Sequence, residues 1–272
     1  MVQLKEIYQI AIQAGIDASF VLMDYYSNGF SFEDKADGSP VTEADKASSD
    51  LIHSRLKETG IPIIGEEIIN LPYEERKSWT KNWCVDPLDG TKEFIKKNGE
   101  FAINIAFIEN QQPTFGIIVA PVKKEIIVGS KVEGVFILQY DALGKIKSSK
   151  KIDIQDTINH PLVLLASRSY NTPETDRYVK LLEQDFGLID YKQRGSALKF
   201  FDLALNTADV YPRFAPTMEW DIAAGQAIIE ALEGEVLNFH TQEPLIYNKE
   251  DLYNPYFIAK TKAHRKQCLA HS

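Results

Sequence analysis

The sequence has little cysteine, no long apolar run and no surplus of positive charge among its 272 residues. Its two cysteines, Cys84 and Cys268, stand far apart, which argues against a disulfide framework and a cysteine-based zinc site. No stretch approaches the roughly eighteen apolar residues of a membrane helix, so we expect no transmembrane segment. The formal net charge of -9 argues against a nucleic-acid polymer as a partner, because such proteins neutralise backbone phosphates with a basic face.

The N-terminal segment also lacks the basic start and the uninterrupted apolar core of a signal peptide. Lys5, Glu6 and Asp17 interrupt it within a helical period. We therefore expect a cytoplasmic protein, with peripheral association at the inner face of the membrane left open.

What is present is the composition of a globular protein, with 44% hydrophobic and 25% charged residues. Apolar residues at helical spacing predict an opening helix over 4–21. A second helix is predicted to begin near Thr42, which has the spacing of a capping box with Asp45.

Short β-branched and aromatic runs between residues 61 and 140 predict an antiparallel meander. After a polar, Lys-rich stretch at 145–160, strand-like and helix-like segments alternate and predict a second, mixed sheet. The expectation is an α+β protein with an N-terminal lobe at residues 1–155 and a C-terminal lobe at 156–272.

The segment richest in chemistry is Asp86-Pro87-Leu88-Asp89-Gly90-Thr91, between an apolar strand and a helix-like run. Two carboxylates at the end of a strand can face one point and provide the hard oxygen ligands that Mg²⁺ prefers. Gly90 permits close backbone approach, and the following helix start offers N–H groups to an anion. The competing interpretation is a hairpin turn at Asp89-Gly90.

Two other segments offer further carboxylates. Glu66 and Glu67 follow the apolar run 61–64, and Asp221 lies in a helix whose other residues are mostly apolar or small. Because a carboxylate on an apolar helix is costly unless it is paired or bound to a cation, Asp221 is a strong ligand candidate. Glu66 is favoured as a ligand, while Glu67 fits an exposed surface equally well.

The Glu-Glu pair, the DPLDGT segment and the WDIAAG segment at Trp220 together resemble the inositol monophosphatase superfamily, over nearly the whole chain. The resemblance implies a layered α/β/α/β/α sandwich of the sugar-phosphatase type, as a monomer or homodimer. It also implies two Mg²⁺ ions, joined by a third, weaker ion when substrate binds, and inhibition by lithium. One ion would be held by Glu66, Asp86 and the Leu88 carbonyl, and the second by Asp86, Asp89 and Asp221.

The resemblance further implies that a metal-activated water attacks the phosphorus in line, without a covalent intermediate. Thr91 and Asp45 would activate that water, with Glu66 as the third catalytic residue. For Asp45 the capping box is an alternative explanation that needs no catalysis. Many family members carry an Asp shortly before the Thr of the second helix, where this chain has Ser39-Pro40.

Within the superfamily, Lys92-Glu93-Phe94-Ile95 is similar to the CysQ type of 3'(2'),5'-bisphosphate nucleotidase, which implies adenosine 3',5'-bisphosphate as substrate and AMP and phosphate as products. Ser196, Lys199 and Arg213 would lie on the nucleotide side, although solvated surface residues remain the alternative for each. Ser167-Arg168-Ser169-Tyr170 departs from the family form, which ends in His. The full set implied to contact substrate is Glu66, Leu88, Asp89, Gly90, Thr91, Ser196, Lys199, Arg213 and Asp221.

Other hydrolase chemistries lack their motifs. Leu88 stands where a haloacid-dehalogenase type needs a second Asp, Cys84 has no Arg six residues on, and no GxSxG occurs. Two rivals remain: an inositol monophosphatase or sugar bisphosphatase, and a metal-dependent binding protein that has lost turnover. The presence of all the expected carboxylates and of Thr91 counts against the second.

Overall fold

A computed structural model describes residues 4–35, 40–166 and 172–271, the side chains of 267–271 excepted. The predicted contacts of Ser167 to Tyr170, and the Cys268 thiol, lie outside the described residues. The helices in these ranges are α1 (Glu6–Asn28), α2 (Glu43–Lys57), α3 (Tyr73–Arg76), α4 (Thr91–Ile95), α5 (Pro173–Phe186), α6 (Leu198–Ala204), α7 (Glu219–Ala231) and α8 (Lys262–His271).

The strands fall into one small and two large sheets. The small one pairs β1 (Phe32–Asp34) with β2 (Pro40–Thr42). A seven-stranded sheet contains, in this order, β3 (Ile63–Gly65), β4 (Lys81–Asp89), β5 (Ala102–Glu109), β6 (Gln112–Ala120), β7 (Glu125–Ser130), β8 (Gly134–Tyr140) and β9 (Ile146–Ile152). A five-stranded sheet is built from β10 (Leu162–Ala166), β11 (Ile189–Gln193), β12 (Val210–Arg213), β13 (Glu235–Asn238) and β14 (Phe257–Lys260).

The seven-stranded sheet is the predicted meander, antiparallel throughout except for the parallel pair β3–β4. α1 and α2 cover one face because their apolar stripes match the apolar face of the sheet. At this interface the ring of Tyr8 stacks on Phe115 with centroids 3.8 Å apart. Trp83, Leu22 and Leu56 are fully buried in the same cluster.

α7 lies between the two large sheets, and its residues 222–229 are all buried. A Cβ added to Gly116 in β6 would lie 2.1 Å from the Ala224 carbonyl oxygen, so only glycine permits this helix to approach the sheet so closely. α7 also contacts β13 and β14, while α6 contacts β12. The two helices therefore form the central layer.

The five-stranded sheet has the order β11-β10-β12-β14-β13 and is mixed. Strand β10 runs parallel to both of its neighbours, β11 and β12. Strand β14 runs antiparallel to both of its neighbours, β12 and β13. α5 packs on its outer side through Val179 and Leu182. α8 lies beside α5, where the His264 ring stacks on Phe186 at 5.1 Å. The predicted layered α/β/α/β/α architecture is confirmed.

The Lys-rich stretch at 145–160 contains a strand that the sequence patterns did not predict. Residues Ile146–Ile152 form β9, whose side chains are mostly exposed, because a sheet edge needs backbone partners on one side only. A lobe boundary at 155 stays a prediction. The sequence patterns missed β1, β2, α3 and α8, which are short or polar. No helix among the described residues is long and apolar enough to cross a bilayer.

Candidate active site at the junction of the sheets

The end of β4 determines how two of the predicted ligands are arranged. Asp86 and Asp89 are three residues apart, so in a regular strand their side chains would point to opposite faces. The pairing of β4 with β5 shifts between these two residues, and such an irregularity can bring both carboxylates toward one side. Gly90 then turns the chain into α4 with φ of 94°, so Asp89-Gly90 begins a helix and the hairpin interpretation is wrong.

Four carboxylates, Glu66, Asp86, Asp89 and Asp221, gather at this point, and the pKa of each is raised above its ordinary value. Burial, followed by the charges of Glu66, Asp89 and Asp221, raises the pKa of Asp86 well above its usual range. For Asp221, burial and then the charges of Asp89 and Glu66 raise the pKa to about 8. Burial also raises the pKa of Asp89, although the Lys199 ammonium opposes it. The predicted ligands therefore do converge, and their ionised forms repel one another.

Each aspartate at this site accepts a backbone N–H hydrogen bond. Asp86 accepts from Leu88 at 3.0 Å, Asp89 from Ala197, and Asp221 from Met218 at 2.8 Å. Among the described residues no three His, Cys, Asp or Glu side chains are arranged as a ready metal-binding group. An all-oxygen set whose members are partly or fully buried and repel one another nevertheless fits a hard divalent cation, which would relieve that repulsion.

Thr91 and Asp45 lie in direct contact beside these carboxylates. The Thr91 hydroxyl is 3.0 Å from Asp45 Oδ1 and 3.4 Å from the Leu88 carbonyl oxygen. The other oxygen of Asp45 accepts from the Thr42 N–H at 2.7 Å and the Thr42 hydroxyl at 2.6 Å. Asp45 therefore caps α2 with one oxygen and engages Thr91 with the other, so its two interpretations are compatible.

Lys35 is a part of the site that the sequence patterns did not indicate. Its ammonium lies 2.8 Å from Glu66 Oε1 and also pairs with Glu67. Burial lowers the pKa of Lys35, but the charges of Glu66 and Glu67 outweigh burial and raise it overall. Glu67, with a side chain 10% exposed, is an ion-pair partner and not the exposed surface residue that was considered.

A cleft next to the carboxylates carries the predicted substrate residues. It is lined by Asp89, Gly90, Glu93 and Asp221 together with Lys92, Arg194, Ser196, Lys199 and Arg213, and we call it the cationic cleft. Lys199 is only 4% exposed, with its ammonium 3.2 Å from the Ser196 carbonyl oxygen and 5.1 Å from the centre of the Tyr211 ring. The solvated-surface alternative is wrong for Lys199, which is buried, whereas Ser196 and Arg213 are half-buried in the lining of the cleft.

Two residues of the site escaped the sequence patterns for different reasons. Arg194 directly precedes the segment Gly195 to Lys199 that predicted substrate contacts, and it lies just outside that segment. Asn104 is fully buried in β5, where its Nδ2 lies 3.3 Å from Asp89 Oδ2 and its Oδ1 has no hydrogen-bond partner among the described residues. No sequence signal separates it from other residues of an apolar strand.

The fold and the site together define a layered α+β protein of the sugar-phosphatase type. The sequence model of the inositol monophosphatase family matches residues 3–272, and the chain belongs to that family. A 3'(2'),5'-bisphosphate nucleotidase CysQ of Salmonella typhimurium is 37% identical over 264 residues, covering 93% of this chain and 98% of the relative.

Solved structures agree with this placement. CysQ from Bacteroides thetaiotaomicron is 40% identical, with a TM-score of 0.81 over 93% of this chain and 96% of that one. An IMPase/NADP phosphatase complexed with Mg²⁺ and phosphate shares the fold at 18% identity, with a TM-score of 0.72 over 92% of this chain and 88% of that one. The chain is thus an enzyme of the phosphoric monoester hydrolase class.

Proposed function

We propose that this enzyme hydrolyses the 3'-phosphate of adenosine 3',5'-bisphosphate to give AMP and phosphate, with Mg²⁺ as cofactor. The observation that carries the proposal is the contact between Thr91 and Asp45 beside four mutually repelling carboxylates, two of which, Asp89 and Asp221, line a cleft that also carries cations. The similarity to two CysQ proteins supports the choice of a nucleotide substrate.

The chain's own residues can provide the proton transfer. The Thr91 hydroxyl donates to Asp45 Oδ1, which leaves lone pairs on Thr91 Oγ1 free to accept a hydrogen bond from a water. As that water attacks phosphorus, its proton passes to Thr91 while the Thr91 proton passes to Asp45. Burial raises the pKa of Asp45, which makes it a better base than an exposed carboxylate.

The metal would be held by Glu66, Asp86, the Leu88 carbonyl, Asp89 and Asp221, which we expect to bind two ions and a third when substrate is present. Bound there, Mg²⁺ supplies Lewis-acid activation of water and neutralises the charge on the leaving oxygen. Lys35 already provides a cation at Glu66 and Glu67, so it lowers the charge repulsion at this edge of the site.

The cations of the cleft support a substrate with more than one phosphate. A single phosphate at the metal ions needs few further positive charges, whereas this cleft contributes two arginines and two lysines in a chain of net charge -9. Arginine suits two-pronged contacts with phosphate oxygens. An inositol monophosphate has no second phosphate for these cations to bind.

The test is phosphate release by the purified chain with adenosine 3',5'-bisphosphate, 3'-AMP and inositol monophosphate, each in Mg²⁺ and in excess EDTA. We expect the highest kcat/KM for the bisphosphate, no turnover in EDTA, and inhibition by lithium. Undiminished turnover in EDTA would refute the Mg²⁺ assignment. A preference for inositol monophosphate would refute the nucleotidase assignment while leaving the phosphatase class unaffected.

A further inference from the structure

Arg194 lines the cationic cleft but has no role in the proposed proton transfer or metal binding. It stands between the end of β11 and Gly195, and the next residues touch the metal-ligand turn directly. The Ala197 N–H donates to Asp89, and a Cβ added to Gly90 would lie 3.1 Å from the Ser196 Cβ. The arginine side chain therefore leaves the backbone immediately beside Asp89 and Gly90 in the lining of the cleft.

The guanidinium is hydrogen-bonded on one edge only, with a second carboxylate at ion-pair distance. Its Nε lies 3.2 Å from Asp202 Oδ2, while Nη1 is 3.8 Å from Glu100 Oε1, which is an ion-pair distance beyond hydrogen-bond length. Its terminal nitrogens make no hydrogen bond with the described residues, and the side chain is 23% exposed. Arginine carries five N–H donors, so the edge beyond Nε remains able to bind an anion.

Asp202, the aspartate that holds Arg194, pairs with a second cation as well. Asp202, with a side chain 6% exposed, also pairs with the Lys192 ammonium at 2.9 Å and accepts from the Thr207 hydroxyl at 3.2 Å. Lys192 is absent from the lining of the cleft. Asp202 thus orients Arg194, while Lys192 also balances the negative charge of Asp202.

The other cations of the cleft are engaged differently. Lys199 is buried against Tyr211 and its charge lowers the pKa of Asp89. Arg213 donates through Nη2 to the Pro216 carbonyl at 3.4 Å and lowers the pKa of Asp221, while Lys92 is an exposed side chain. Arg194 combines a fixed orientation, partial exposure and donors directed by a planar group. A planar fork held by a carboxylate loses little freedom when it binds a phosphate, because its geometry is already fixed.

We propose that Arg194 is a specificity-determining residue that binds the phosphate which is not cleaved. The inference rests on the proposed function, since it assumes a substrate with two phosphates. Arg194 would then make the enzyme prefer a bisphosphate over a monophosphate. It should contribute little to the cleavage of a monophosphate.

The experiment compares Arg194→Gln with wild type by kcat/KM on adenosine 3',5'-bisphosphate and on 3'-AMP, which lacks the second phosphate. We expect a loss on the order of 10- to 100-fold for the bisphosphate, as for a charged hydrogen bond, and less than about threefold for 3'-AMP. Arg194→Lys keeps the charge without the planar fork and should recover part of the preference. Thermal melts of each variant confirm folding.

Lys192→Gln is the matched control, because it removes the other cation from Asp202 without altering the lining of the cleft. It should keep the wild-type ratio between the two substrates. Equal losses on both substrates for Arg194→Gln, or the same pattern for Lys192→Gln, would overturn the inference. Failure of the wild-type enzyme to cleave the bisphosphate refutes the proposed function itself, and the inference falls with it.

Discussion

At the scale of single residues, Asp45 shows how one side chain serves structure and chemistry together. One oxygen caps α2 through Thr42, and the other faces the Thr91 hydroxyl at 3.0 Å. The cap fixes the orientation of the carboxylate, so the oxygen that faces Thr91 is held in place before substrate arrives. Removing Asp45 would therefore damage the helix and the site at once, whereas changing Thr91 isolates the chemistry.

We expect Thr91→Ala to lower kcat by about 10²- to 10⁴-fold with little change in stability, because its hydroxyl orients a water and does not build the core. Thr91→Ser should retain most of the activity. Steady-state kinetics, together with urea unfolding, measure both quantities. Thr114→Ala provides a control, since the Thr114 hydroxyl bonds to the Phe107 carbonyl at 3.3 Å away from the site. Near wild-type kcat for Thr91→Ala would remove Thr91 from the mechanism.

At the scale of elements, the first turn of α7 is anchored by a buried polar network. Glu219 has no exposed surface and accepts from the N–H of Asn248 at 2.7 Å and the N–H of Lys249 at 3.0 Å, and its Oε1 also contacts the Lys249 ammonium. The side chain of Asn248 in turn accepts a hydrogen bond from Arg76 Nη1 and donates one to the Arg76 carbonyl at the end of α3. Asp221 lies two residues after Glu219, so this network fixes the position of a proposed metal ligand.

Glu219→Gln should lower the free energy of unfolding by about 1–3 kcal/mol, because buried donors lose a charged acceptor. It should also raise the Mg²⁺ concentration for half-maximal activity, since the first turn of α7 is less firmly held. Glu230→Gln is the comparison, as Glu230 pairs with Lys131 at 2.8 Å at the other end of the same helix. Glu230→Gln should change the free energy of unfolding, measured in urea, and the Mg²⁺ requirement less than Glu219→Gln does. Equal effects of the two changes would contradict a role for Glu219 in positioning Asp221.

At the scale of the whole molecule, the site depends on parts that are distant in the chain. Asp86 and Asp89 come from the seven-stranded sheet, while Asp221 comes from the helix layer between the two sheets. Their mutual repulsion is a cost of the metal-free fold. Burial and the neighbouring charges raise the pKa of Asp221 from an ordinary 3.8 to about 8, so the folded chain retains a proton that the unfolded chain releases.

The sign of the resulting pH dependence follows from proton uptake. Between about pH 4 and pH 8 the native state binds more protons than the unfolded state, so the stability of the metal-free protein should fall as pH rises. Mg²⁺ competes with those protons, so its stabilising effect should grow over the same range. Thermal melts near pH 5 and near pH 8, with and without Mg²⁺, measure this. Asp221→Asn should flatten the trend, and a Mg²⁺ effect that does not vary with pH would contradict it.

The local patterns of the sequence predicted most of the elements and the chemical groups that gather at the candidate site. Thr42 and Asp45 predicted the start of α2 because capping is decided within four residues, and the meander followed from β-branched runs and turns. DPLDGT, Glu66 and Asp221 indicated an oxygen-only metal site, since residue type determines ligand chemistry. Edge strand β9 and the short elements were missed because pairing partners, and not propensity, stabilise them.

Only the tertiary structure decided which of these residues meet. Lys35 reaches Glu66 and Glu67, and Arg194 is oriented by Asp202, through contacts that no spacing along the chain predicts. The irregularity in β4 and the close passage of α7 over Gly116 bring Asp86, Asp89 and Asp221 together. By itself the sequence determined the chemical groups available, because these are set by residue type. Their charge coupling and the cationic cleft arise from burial and long-range packing, which exist only in the folded chain.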